Sequence, residues 1–316
     1  MYHLIKALLT LLALLPLRVL YLLSDLIYLL GYHLVGYRKK VVRMNLRNAY
    51  PEKTIDELRK LERQFYHRLS DYVAETIKLF HMPQKEIERR MRFEGIEVLQ
   101  ELIAKDRSVM IYLGHCFNWE WITSMYRYRP EHYMGGEVYR PLKSKLADQL
   151  FLHIRNRHGN TNIAKNDTLR WIMNCKRADK PFIIGMMADQ TPSIANTHYW
   201  TTFLSQETAM LTGVERIAQR TDCALIYLDV QRLRRGEYVG RIQLMTDAPR
   251  QMQSNEITEQ YARLMEATIN RDPAGWLWTH KRWKHKRTEI EKQMNKPKAA
   301  PHTPPHNNAK QHPPQP

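Results

Sequence analysis

Apolar and polar positions follow three regimes along the chain. From Ala7 to Tyr37 leucine dominates ("ALLTLLALLPLRVLYLLSDLIYLLGYHLVGY"), and only Arg18 and Asp25 interrupt it, seven residues apart and so on nearly the same side of a helix. A full span needs about 20 mostly apolar residues. Two geometries fit: a tilted single span whose charged face rests on the protein, or an amphipathic segment lying in the membrane interface. A secretory signal would bring a short apolar core and a small-residue cleavage site, so the segment is expected to be retained. Next, Thr54 to Phe80 has helical spacing, with Thr54 as N-cap and Glu57 three residues on. Beyond it the short apolar runs "SVMIYL", "PFIIGMMA" and "CALIYLDV" alternate with helical stretches at Leu142 to Arg157, Asp167 to Arg177, Glu207 to Arg220 and Glu256 to Arg271. Alternation of this kind predicts an α/β fold with a mixed central sheet flanked by helices, and sites at the carboxyl ends of its strands. The end of the chain, rich in Pro, Asn, His and Gln, has no apolar period with which to order itself. The organisation expected is therefore a hydrophobic membrane-anchoring helix at 1–35, a catalytic domain at 36–290 and a disordered tail at 291–316.

Charge narrows the partners. Lys and Arg number 49 against 32 Asp and Glu, a net +17, which calls for an acidic partner: nucleic acid, anionic lipid or an acidic protein. Arg38, Lys39 and Lys40, directly after the apolar segment, suit an anionic cytoplasmic leaflet. A nucleic-acid binder would need exposed aromatics on a basic sheet or a basic recognition helix, and a leucine-rich terminus argues against it. The three cysteines, Cys116, Cys175 and Cys223, lack the spacing of a zinc or redox site. No metal is expected.

The chemistry concentrates in "IYLGHCFNWEW", residues 111 to 121. Gly114 lets the chain turn after a central strand, placing His115 just past the strand's carboxyl end. If the residues from Phe117 on are helical, Glu120 sits in the first or second turn and its carboxylate reaches back to the imidazole. Such a carboxylate would fix the tautomer and leave Nε2 free to take a proton. No G-x-S-x-G elbow supplies a serine nucleophile, and Cys116 adjoins His115 too closely for the two to aim at each other. The proton would then come from the substrate's own hydroxyl, with His115 as general base for direct acyl transfer.

The string "GHCFNWEW" resembles the H-x4-D/E signature of glycerolipid and lysophospholipid acyltransferases, in the G-H-x-x-N-W-E form of the lipid A biosynthesis acyltransferases, the lauroyl and myristoyl transferases of Gram-negative bacteria. Further segments resemble that family in the same order over residues 36 to 287: "VVRMNLRNAYPEKT", "VYRPLKSKLADQLFLHIRNRHG", "MMADQTP" and "WLWTHKRWK". One stretch, "NTHYWTTFLSQETAML", resembles it only loosely.

The resemblance implies a membrane-associated acyltransferase fold at the bacterial inner membrane, its catalytic domain facing the cytoplasm. It implies no cofactor, an acyl-acyl-carrier-protein co-substrate as donor, and a membrane glycolipid acceptor in lipopolysaccharide biosynthesis. His115 and Glu120 match its dyad, Arg155 and Arg157 its basic block, and Asp189 and Gln190 its A-D-Q turn. Arg140, Arg155 and Arg157 can pair bidentately with phosphates or support an oxyanion. Two apart, Arg155 and Arg157 cannot both face one way, and Arg157, beside Gly159, is favoured. Asp189 can serve catalysis directly or hold its loop through backbone N–H groups. In "HKRWKHKR", Lys281, Arg282, Lys284, Lys286 and Arg287 form a patch for either an acidic carrier protein or anionic inner-membrane lipids. A lysophospholipid or aminolipid acceptor is the alternative reading.

Overall fold

A computed structural model describes residues 1–294; the expected tail lies outside the described residues from 295 on, and 291–294 belong to the last helix. The helices are α1 (Tyr2–Leu14), α2 (Leu17–Tyr28), α3 (Lys39–Ala49), α4 (Ile55–Lys78), α5 (Gln84–Arg90), α6 (Ile96–Ala104), α7 (Lys145–Arg155), α8 (Thr168–Arg177), α9 (Gly213–Thr221), α10 (Glu256–Arg271) and α11 (Arg287–Met294). The strands are β1 (Met91–Glu94), β2 (Val109–Leu113), β3 (Met134–Tyr139), β4 (Thr161–Ala164), β5 (Phe182–Met187), β6 (Tyr199–Phe203), β7 (Gln206–Met210), β8 (Ala224–Arg234) and β9 (Glu237–Thr246).

Seven strands form the mixed sheet in the order β1-β9-β8-β2-β5-β3-β4. From β8 to β4 every neighbouring pair is parallel, while β9 returns antiparallel on β8 and carries β1. β2 contains no charged residue because helices cover both faces, and all of its positions are buried. The three predicted runs are β2, β5 and β8. Edge strands β1 ("MRFE") and β4 ("TNIA") are too short and too polar to stand out in the sequence. At α4, Thr54 caps as expected: its Oγ1 accepts the Glu57 N–H at 3.3 Å, and Glu57 Oε2 accepts the Thr54 N–H at 2.7 Å.

One predicted helix is corrected. Residues from Glu207 do not begin a helix; β6 and β7 form an antiparallel hairpin turned at Leu204 and Ser205, both in the left-handed region (φ 50° and 59°), and the helix starts at Gly213. Tertiary contacts override the helical reading here. The Trp283 indole donates to Thr208 Oγ1 at 2.7 Å, and the Arg282 guanidinium donates to the Ala209 carbonyl at 2.8 Å.

The first 35 residues are not a detached anchor. α2 lies along α4, with Ser24 Oγ donating to Asp71 Oδ1 at 2.7 Å, Tyr21 Oη donating to Glu75 Oε1 at 2.8 Å, and Asp25 ion-paired with Arg235 at 2.6 Å. Asp25 thus faces the protein, whereas Arg18 is exposed. The outward faces of α1, α2 and the π-helical turn Leu29–Val35 expose a row of leucines that includes Leu4, Leu11, Leu22, Leu26 and Leu34.

Asn45, in the early "NLRNAYP" stretch, is fully buried and donates from Nδ2 to the carbonyls of Trp278 and His280, each at 2.9 Å. It ties the start of the domain to the far end of the chain. Replacing it strands two buried carbonyls, costing roughly 1–3 kcal/mol. Asn45→Ala should therefore lower the melting temperature by on the order of 5 °C, read by differential scanning fluorimetry; an unchanged midpoint would show that the amide carries no such bonds.

Candidate active site

β2 and β5 pair in parallel with Leu113 opposite Met187, so residues two beyond each strand stand side by side. Those residues are His115 and Asp189. The Asp189 carboxylate faces the imidazole Nδ1 at 2.7 Å through Oδ1 and accepts the His115 backbone N–H at 3.1 Å through Oδ2. The Trp276 indole N–H adds a donor to Oδ2 at 2.8 Å. Burial of Asp189 works against its charge, yet His115 and the Trp276 N–H hold the carboxyl at about 2. An ionised acceptor on Nδ1 keeps the proton there and turns Nε2, with the ring 19% exposed, toward the open side. Gln190 brings its amide nitrogen to 3.3 Å from that Nε2. The arrangement commits Nδ1 to a carboxylate and leaves Nε2 facing only a side-chain amide, a geometry that suits a general base.

Here the expectation for Glu120 is corrected. The chain past His115 is not helical: Phe117 adopts φ 53°, and a 3-10 helix begins only at Trp121, with Glu120 before it. The cause is local pairing with another segment. Phe117 N–H donates to the Gly275 carbonyl at 2.7 Å, Leu277 N–H donates to the His115 carbonyl at 3.2 Å, and Cys116 bridges Trp276. A Cβ on Gly275 would collide with the Phe117 ring, so this zipper requires glycine. Gly114 serves by close approach, not by an unusual turn: its φ is not positive, and a Cβ would run into the fully buried Met265 thioether.

Turned away from the imidazole, Glu120 receives Arg155 bidentately, Nε at 2.8 Å and Nη2 at 2.6 Å, and the Tyr72 hydroxyl at 3.4 Å. Glu137 on β3 also approaches Arg155, at 3.8 Å. Burial pushes Glu137 up to about 8, although Arg155 pulls it down, so near neutrality Glu120 alone balances the Arg155 charge. Tyr72 stacks on Trp119 (centroids 4.1 Å), and Trp119 stands edge-on to His115 (5.3 Å). Glu120 thus reaches the histidine through an aromatic pair, not through a hydrogen bond.

The favoured Arg157 is corrected as well. Its guanidinium donates to the carbonyls of Leu79 and Met82, a structural tie, while Arg155 is the one at the Glu120 pair. Arg140 is exposed just beyond β3, at the same carboxyl edge of the sheet as His115. Of the basic patch, Lys281, Lys284, Lys286 and Arg287 are exposed, Arg287 pairing with Glu207 and Glu291. Arg282 is not part of it: fully buried, it faces Ala209 and Met210, and burial lowers it to about 10, still cationic. Burial, reinforced by Asp189, holds the Cys116 thiol well above its usual range, which removes it as a thiolate nucleophile.

Three contributors escaped sequence reasoning. Trp276 and His280 belong to the "WLWTHKRWK" segment, whose indole and imidazole spacing carries no site signal by itself. His280, lowered to about 4 by burial, is neutral, and its Nε2 accepts the Thr191 N–H at 3.1 Å, fixing the turn after Asp189. Glu75, on the buried face of α4, looked like one of many helical acids.

A family model described as "Bacterial lipid A biosynthesis acyltransferase" matches residues 1–285. Curated relatives include a lipid A biosynthesis lauroyltransferase of Escherichia coli K12, 22% identical over 248 residues, and a lipid A biosynthesis palmitoleoyltransferase of the same strain, 22% identical over 259; each match covers 78% of this chain and 79% of the relative. A lipid A biosynthesis acyltransferase of Shigella flexneri is similar to the same extent.

His115→Ala and Asp189→Asn should each cut acyl transfer by roughly 100-fold or more, the range for losing a general base or its orienter. A carboxyl held at about 2 against 3.8 unfolded stabilises the fold above about pH 4 and loses that contribution as pH falls toward 2. Asp189→Asn should therefore also forfeit roughly 2 kcal/mol near neutral pH. In Glu120→Gln the larger loss should be stability, several kcal/mol, because a mostly buried Arg155 is left without its counter-charge. Melting curves run beside turnover per folded enzyme separate the two. Full turnover in Asp189→Asn, with an inactive but equally stable Glu120→Gln, would return the orienting role to Glu120.

Proposed function

The chain belongs to the bacterial lipid A biosynthesis acyltransferase family, and from that premise we propose that it moves a fatty acyl group from acyl-carrier protein to a hydroxyl of a lipid A precursor, with His115 as base. The family supports the coarser statement, an acyltransferase of lipid A biosynthesis. The observation that supports the finer one is the His115–Asp189 pair, 2.7 Å apart at the carboxyl edge of a parallel sheet, with the adjoining Cys116 thiol held protonated by burial.

In this reading Nε2 of His115 takes the proton of the acceptor hydroxyl as its oxygen attacks the donor's thioester carbonyl. The tetrahedral adduct collapses with loss of the carrier's thiolate, which recovers the proton from the imidazolium. Asp189 stabilises that imidazolium and stays ionised throughout. Gln190, whose amide stands where the hydroxyl must approach, swings aside and donates to the developing oxyanion. Arg155, committed to Glu120, acts as scaffold for Trp119 and does not hold a phosphate. The two Escherichia coli relatives carry different acyl names at equal identity, so the likeness does not assign an acyl chain length to this chain.

The apolar N-terminus would dock the enzyme on the membrane that holds its acceptor. The segment Leu17–Val35 is long and apolar enough to cross a bilayer, with 17% of it buried. A perpendicular span, however, would drag the Asp25–Arg235 and Ser24–Asp71 contacts into hydrocarbon. We favour a helix pair lying in the interface with its leucines in the acyl region. The Lys281 carbonyl accepts Thr191 Oγ1 in the turn that follows Asp189, and Lys284 and Lys286 are exposed a few residues on. An acidic carrier protein suits such a patch.

Full-length enzyme in detergent, given dodecanoyl-acyl-carrier protein and a tetraacylated lipid A precursor, should add one acyl mass to the acceptor; equal use of dodecanoyl-coenzyme A would reject the carrier. The charge reversal Lys284→Glu with Lys286→Glu should raise the apparent KM for the carrier donor and flatten its salt dependence, with acceptor kinetics unchanged. Donor kinetics identical to wild type would leave the patch to lipid headgroups. Removal of residues 1–35 should strip α4 of its cover and move the protein to soluble or aggregated fractions; a truncated protein that still pellets with membranes after a high-salt wash would place the anchor elsewhere.

A further inference from the structure

Glu75 carries a wholly buried carboxyl group that forms no ion pair among the described residues. It lies in the middle of α4, where the sequence offers nothing to mark it off from its neighbours. Three side chains from three separate elements converge on it. The Asn118 amide donates to Oε2 at 2.9 Å, Tyr21 Oη of α2 donates to Oε1 at 2.8 Å, and Tyr238 Oη of β9 reaches both oxygens, at 3.0 and 2.9 Å. The backbone carbonyl of the same residue accepts the Trp121 indole N–H at 3.2 Å.

Asn118 and Trp121 flank Trp119 and Glu120 in the turn that follows His115. Asn118 also accepts the Trp121 backbone N–H through Oδ1 at 3.3 Å, so its side chain closes the turn at one end and grips Glu75 at the other. Phe117, immediately before it, holds a left-handed backbone that costs a bulky residue of order 1 kcal/mol or more. A strained conformation persists only where its surroundings over-determine it. On one side the Gly275–Leu277 segment does this, and on the other side Glu75 does.

A carboxyl in this position is costly. Burial drives it up to about 7 even though Asn118, Tyr21 and Tyr238 donate to it and pull it down. Replacing it by leucine would leave the Asn118 amide and the Tyr21 and Tyr238 hydroxyls without their acceptor, so the carboxyl also contributes to stability.

We propose that Glu75 is a positioning residue for acyl transfer, holding the His115–Glu120 turn in its reactive shape through Asn118. The inference rests on the assignment of His115 as the base, and it ties the apolar helix α2, through Tyr21, to the catalytic turn. Displacements of about 1 Å in a reacting group cost up to about 100-fold in rate. A loosened turn should thus lower kcat and leave KM nearly alone.

The test uses full-length enzyme in detergent with three variants: Glu75→Leu, Glu75→Gln and Asn118→Ala. Two readouts run together, kcat and KM for dodecanoyl transfer, and the rate at which diethyl pyrocarbonate modifies His115, followed by peptide mass spectrometry. The second needs no substrate, so it decides the positioning claim even if the proposed acyl donor is not used. Glu75→Leu and Asn118→Ala should each lower kcat roughly 10- to 100-fold with KM within about twofold, and change His115 modification at least threefold. Glu75→Gln, whose amide oxygen can still accept from Asn118, should recover most of both. Should Glu75→Leu fail to fold, Asn118→Ala breaks the same bond from the side of the turn and carries the test. His115 reactivity and kcat at wild-type values in Asn118→Ala, or a Glu75→Gln enzyme as impaired as Glu75→Leu, would overturn the proposal.

Discussion

One hydrogen bond organises this molecule: the contact between the His115 imidazole and the Asp189 carboxylate, 2.7 Å long, formed where two parallel strands end side by side. It is short and charge-assisted, and it sits in a pocket closed to water on the Asp189 side. Such a bond exists only if β2 and β5 keep their register to the residue. A slip of one position in either strand would turn that strand's side chain to the wrong face and part the pair. Much of the remaining structure serves to prevent that slip and to keep the two strand ends from fraying.

The closing segment does most of this. Trp276 donates to Asp189, His280 accepts from the Thr191 turn beyond it, and Asn45 holds the carbonyls of Trp278 and His280 from the other end of the chain. Arg282 and Trp283 extend the same clamp to the β6–β7 hairpin. The short motifs scattered from Asn45 to Trp283 are thus one structure seen in pieces. Glu120 fits this pattern as a scaffold: its ion pair with Arg155 braces Tyr72 and Trp119, and these form the wall against which the imidazole stands.

Much of the fold could be read from the sequence, because its signals were local. The capping box at Thr54, the three apolar runs and the placement of His115 past a strand all follow from patterns a few residues long. Where the reading went astray, a distant partner had decided the outcome. Glu120 was assigned to His115 on the assumption of a helix, but pairing with Gly275–Leu277 imposes a left-handed Phe117 and turns the carboxylate away. Arg282 counted as a surface charge until the hairpin covered it, and the hairpin itself was mistaken for helix because Trp283 and Arg282 lie over 70 residues downstream. Asp189 fills both geometries that its sequence position allows, accepting a backbone N–H and facing the imidazole.

The central claim is that Asp189, and not Glu120, sets which ring nitrogen of His115 carries the proton. Nitrogen-15 spectra of enzyme labelled at histidine report directly which ring nitrogen carries the proton. In its neutral form His115 should give a protonated Nδ1 and a pyridine-like Nε2, a pattern retained in Glu120→Gln and lost to a mixture of tautomers in Asp189→Asn. An unchanged His115 spectrum in Asp189→Asn, with the tautomer lost instead in Glu120→Gln, would contradict it.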